Sequence, residues 1–124
     1  MSKKIGALFC FLGLTLTACA YTYVMPVSEN SVELDVMAAP ACGISGAQKL
    51  MLRDAAVATI QNNYDDFIFA PEAEMSNSYT NRRVVVEMFH DSDAGAANAI
   101  SARTTLGGDW QNIVNNGFPS TCTS

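Results

Sequence analysis

Residues 5–16 form an apolar run of twelve behind Lys3 and Lys4. A helix needs ~20 such residues to cross a bilayer, so the run is too short for a retained span. A basic start, a short apolar stretch and small residues after it are the three parts of a secretory signal peptide. The expectation is that residues 1–18 are removed and that the mature chain begins at Cys19. Cys10 sits inside the run and reads as a small apolar filler lost with it.

The run closes in Leu16-Thr17-Ala18-Cys19. This quartet resembles the lipobox of bacterial lipoproteins. The resemblance implies a diacylglyceryl group on the Cys19 sulfur, cleavage before Cys19 and acylation of the new amino terminus. The chemistry needs a thiol because sulfur is the nucleophile. Thr17 and Ala18 supply the small residues that let the strand enter a narrow cleft. An ordinary secretory signal, cut after Ala18 or Ala20, is the alternative. One acyl chain binds a membrane reversibly, whereas two or more hold stably. By resemblance to the sorting rule of Gram-negative lipoproteins, Ala20 implies the outer membrane, facing the periplasm, and an Asp there would imply retention at the inner one.

Without residues 1–18 the chain keeps 106 of its 124 residues, enough for one domain with a modest core. The formal charge of −5 includes Lys3 and Lys4, so the mature part stands at −7. Such a chain lacks the basic surface that nucleic acid requires and has no basic face for anionic lipid. Cys42 and Cys122 remain, 80 residues apart. An even remainder in an exported chain points to a disulfide, worth roughly 4.5 kcal/mol on the chain-entropy argument before native strain reduces it. Metal ligation or a reactive thiol are the alternatives, but no His adjoins either cysteine and no C-x-x-C spacing occurs.

Three segments follow: a signal peptide over 1–18, a lipidated flexible tether over 19–31, and a single small α+β domain over 32–124. Pro26 and the polar cluster Ser28–Ser31 suggest the tether. Tyr21 and Tyr23 lie next to the anchor, either disordered or at the membrane interface. Val32, Leu34 and Val36 alternate with Glu33 and Asp35, a half-buried strand. Ser45 and Gln48 have the spacing of a capping box. The helix they open carries an inward stripe of Ala47, Leu50, Met51, Ala55, Ala58 and Ile60, with Asp54 placed elsewhere, and stops at Asn62-Asn63. Phe67–Phe69 opens a strand that Pro71 confines to an edge or interrupts. Arg82–His90 reads as the central strand. Asp91-Ser92-Asp93 can cap a helix over Ala94–Leu106, with Ile100 and Leu106 turned inward. A last short helix starts at Asp109 and carries Trp110, Ile113 and Val114. The predicted fold is α+β: about three strands, in the order strand-helix-strand-strand-helix-helix, with the helices on one face.

Candidate chemistry is sparse. His90, Asp91 and Asp93 are the one cluster that suits a divalent metal or acid/base work, but the chain has a single His, and the aspartates also suit a helix start. Asp65-Asp66 are adjacent and should point to opposite faces. Arg82-Arg83 could hold an anion or simply open a strand toward solvent. The helix start at Ser45–Ala47 lacks G-x-G-x-x-G and Walker spacing, and no G-x-S-x-G occurs. A Cys42/His90 dyad would compete with the disulfide.

The stretches Cys42–Gln48, Ala55–Ile60, Tyr64–Phe67, Ala96–Ile100 and Leu106–Trp110, on to Cys122, look like a group of small proteobacterial envelope lipoproteins. Asn63 stands where that group has Gly. The resemblance implies compartment and fold and adds no catalytic residue or cofactor. The functional expectation is a membrane-anchored, non-enzymatic binding or assembly component whose partner is another envelope protein. The contact surface would be the Arg82–His90 strand edge or the tip at Ser76–Asn81. A small-ligand or metal-binding module at His90, Asp91 and Asp93 is the alternative.

Overall fold

The computed structural model describes residues 19–70 and 81–122. Five strands form one antiparallel sheet: β1 (Ala20–Ser28), β2 (Ser31–Ala38), β3 (Asp66–Phe69), β4 (Asn81–Phe89) and β5 (Ile100–Ser101), in the spatial order β1-β2-β4-β3-β5. Among the described residues three α-helices accompany it: α1 (Gly43–Gln61), α2 (Ala102–Leu106) and α3 (Trp110–Asn116). The α+β class stands as expected; the sheet is larger than the predicted three strands.

β2 and β3 both run antiparallel to β4, so they are parallel to each other. Helix α1 makes the crossover, and β4 inserts between them, a split βαβ arrangement. Alternation places Val32, Leu34, Val36 and Ala38 of β2 on the same face as Val84, Val86 and Met88 of β4 and Phe67 of β3. All eight are buried, and α1 lays Ala47, Leu50, Ala55, Ala56 and Ala58 over them.

The expected stripe of α1 is too narrow. Val57 and Thr59 are also buried, because α2 packs beside the helix and covers a second face. Small alanines let these backbones approach, and the Thr59 hydroxyl is satisfied by the Ala55 carbonyl at 2.7 Å. Met51 and Ile60 are only half-buried. The expected capping box is not used: α1 starts at Gly43, directly after a 3-10 turn at Pro40–Cys42, and no side chain caps it. Its C-terminus follows the expectation. Asn63 has φ 66°, its N–H reaches the Ile60 carbonyl and the Tyr64 N–H reaches that of Thr59. This is a Schellman ending, a place where glycine is the ordinary residue.

The tether expected over 19–31 is instead part of the sheet. Ala20–Ser28 pairs along β2 from Ala20↔Ala38 to Ser28↔Ser31, with Glu29-Asn30 as the turn. Tyr21, Thr22, Tyr23, Val24 and Val27 favour extended backbone, and the free edge of β2 offers them partners. Pro26 is tolerated because β1 is the outermost strand, and the pairing shifts register between Pro26 and Ser28. Even Cys19 is tied in: its carbonyl accepts from the Ala39 N–H at 2.8 Å, and it bridges to Thr121.

The helix expected over Ala94–Leu106 is broken in three. Ala94–Asn98 is a 3-10 turn, Ile100–Ser101 joins the sheet beside β3, and only Ala102–Leu106 is α-helical. Alanine's helix propensity is a weak prior. Here the open edge of β3 recruits Ile100 and Ser101, and the Ser101 hydroxyl then caps α2 by accepting from the Thr104 N–H. Gly95 lies so close to Phe89 that a Cβ would sit 2.7 Å from the ring. Ile100, expected inside, is exposed. Strand β3, expected either at an edge or interrupted at Pro71, lies between β4 and β5 and ends at Phe69. Strand β4 is central, as expected.

Candidate functional site

The strand end that carries His90 is a junction of carboxylates. Asp65 is its hub. Its Oδ1 lies 3.6 Å from Arg103 Nη2. Its Oδ2 accepts from the Asp91 N–H at 2.9 Å and stands 4.0 Å from His90 Nδ1. The backbone is pinned too, with the Asp65 N–H on the Phe89 carbonyl and the Ala102 N–H on the Asp65 carbonyl. Asp66 is buried, and burial, then a hydrogen bond and charge from Asp91, push its carboxyl up to about 6; Arg103 opposes this. Asp65 accepts from the Asp91 backbone, and Asp66 feels the nearby Asp91 carboxyl. The His90 ring stacks on Tyr64 at 4.5 Å.

The cluster expected from sequence is not assembled as a ligand set. His90 faces Tyr64 and Asp65, Asp91 engages Asp66, and Asp93 turns back to accept from the His90 N–H at 2.8 Å. Among the described residues no group of three His, Cys, Asp or Glu side chains is arranged to hold a metal ion. What the junction does is join the ends of β3 and β4 to the start of α2.

The other sequence candidates fall as follows. Cys42 and Cys122 form a disulfide, with their Cα atoms 6.0 Å apart. Arg83 is 3.5 Å from Glu33 and 3.6 Å from Asp35, two acids across on β2, which leaves no net positive charge for an anion. The Arg82 side chain lies outside the described ones, as do residues 76–80 of the expected contact tip. Of the other expected contact, the Arg82–His90 edge, β2 pairs with Asn81–Glu87 on one side and β3 with Val86–Phe89 on the other.

At the opposite end of the sheet β1 is an exposed edge strand. Tyr21, Tyr23 and Met25 alternate on the face away from α1 and are each at least half exposed; Met37 of β2 lies opposite Tyr21. The two tyrosine rings meet edge to face at 5.1 Å. From Ala20 to Ser28 the strand carries no charged residue. An open, mostly apolar cavity of ≈ 420 Å³ lies at its start, between Cys19–Tyr21 and Met37–Pro40. Cys19 is itself disulfide-bonded. Sequence reasoning singled out Tyr21 and Tyr23 but missed the strand that sets them in one strip with Met25 and Met37, although their alternation carried the signal.

No family model, no curated protein and no solved structure matches the chain. No helix among the described residues is long and apolar enough to cross a membrane.

Proposed function

We propose that this chain is a lipid-anchored protein of the cell envelope, attached through acyl groups on Cys19 to the outer membrane and facing the periplasm. The observation that carries the reading is the sequence Leu16-Thr17-Ala18-Cys19 directly behind Lys3-Lys4 and the apolar run. The Cys42–Cys122 disulfide supports it, since such bonds persist in oxidising compartments. The Cys19 sulfur can carry the thioether or the disulfide but not both, and the proposal takes the reduced Cys19 thiol as the group that is acylated. The domain acts as a binding or assembly component rather than as an enzyme, and its partner is another envelope protein.

Fractionation of cells expressing the full chain tests the anchor. The protein should sediment with membranes and be released by detergent but not by salt, and Cys19→Ser should not sediment. A wild-type chain found in the soluble fraction overturns the proposal. Crosslinking the lipidated protein within its own membrane tests the assembly role, which fails if no discrete crosslinked species forms.

A further inference from the structure

Taking Cys19 as the acylated residue, the structure leaves no slack between the lipid and the fold. The Ala20 N–H donates to the Ser120 carbonyl at 2.8 Å, and the Ala39 N–H donates to the Cys19 carbonyl at the same distance. The anchor atom is thus the first residue of the sheet edge, not the end of a leash. Strand residues advance ~3.3 Å each, which puts Tyr21 and Tyr23 within roughly 7 and 13 Å of it.

We infer that the outer face of β1 rests on the lipid bilayer, with Tyr21, Tyr23, Met25 and Met37 at the headgroup level. Three observations select this occupant. The strip begins at the residue taken as acylated, and an open apolar cavity is lined by that same Cys19 together with Ala20 and Tyr21. Exposed tyrosines combine an apolar ring with a polar tip, the side chain that membrane interfaces favour. β1 itself bears no charge, and the acids opposite it on the same face, Glu33 across from Met25 and Asp35 across from Tyr23, are both held by Arg83, while the charge of −7 on the mature part keeps the rest of the chain off an anionic surface. A second strand pairing on the β1 edge is disfavoured by Pro26, which has no N–H to offer, and by the register shift beside it.

The inference rests on the lipoprotein reading, and its test separates the two. The full chain is expressed, and its lipidated form is reconstituted in phosphatidylethanolamine and phosphatidylglycerol vesicles whose acyl chains are brominated. Trp110 is the single tryptophan and lies in the helical layer, on α3. In the wild type its emission should not be quenched. In a Tyr23→Trp, Trp110→Phe variant the new indole should shift to the blue and lose most of its emission. Tyr23 is more than half exposed, so the larger ring is accommodated. If the variant floats with vesicles but its emission is unquenched, the domain stands off the bilayer: the inference is overturned and the anchor survives. An unquenched variant that also crosslinks to itself through β1 assigns the strip to a second copy, again overturning the inference. A chain that does not float with vesicles overturns both readings.

Discussion

Thr22 on the edge strand donates its hydroxyl to the carboxylate of Asp54, which is fully buried on α1. The other oxygen of Asp54 is buried with no hydrogen-bond partner. Burial outweighs the Thr22 bond and the Arg53 charge, and it raises the carboxyl from its ordinary 3.8 to about 7. The folded protein therefore binds a proton that the unfolded chain releases above pH 4. Stability from this group is highest below the unfolded value and falls as pH rises toward 7. The difference is on the order of 4 kcal/mol. Asp66, also raised, pulls in the same direction.

Asp54→Asn isolates the effect, since an amide oxygen can still accept from Thr22. The variant should match the wild type near pH 4 and unfold at a higher urea concentration at pH 8. Equal midpoints at pH 8 would contradict the buried, proton-binding carboxyl.

Asp54 also shows where the sequence stops being legible. On a helical wheel it falls off the apolar stripe, and the stripe alone cannot show that β1 covers it. The parts with a strong local signal are as expected: the alternating strand β2, the β-branched centre of β4, the asparagines ending α1 and the Cys42–Cys122 pair. The parts that differ were decided by tertiary partners. Ala20–Ser28 carries a proline and a polar end, yet a free strand edge captures it. Ala94–Leu106 is rich in helix formers, yet β3 takes two of its residues. At the proposed anchor the motif was readable, but the absence of slack behind it was not.

The left-handed turn at Asn63 gives a local prediction. A side chain without a polar group costs about 1 kcal/mol at such a φ. Asn63→Ala should lower the unfolding free energy by about that amount, and Asn63→Gly should hold or raise it. Urea denaturation reads both, and a neutral Asn63→Ala would contradict the Schellman ending.

The Cys42–Cys122 bond holds the C-terminal segment to the start of α1, alongside the Ala20–Ser120 hydrogen bond and the Cys19–Thr121 bridge. Cys42→Ala should lower stability by about 2–5 kcal/mol, expose Cys122 to a thiol reagent and open the segment after Gly117 to proteases. If the variant keeps its melting temperature and its resistance to cleavage, the two backbone contacts alone hold the tail.

The anchor at Cys19 is the claim on which the functional account turns, and intact-mass spectrometry of the detergent-extracted protein tests it most directly. The account predicts an amino terminus at Cys19 and a mass above that of residues 19–124 by the diacylglyceryl and amide-linked acyl groups. An unmodified amino terminus at any other residue, or a Cys19 that carries a disulfide in place of the thioether, would contradict it.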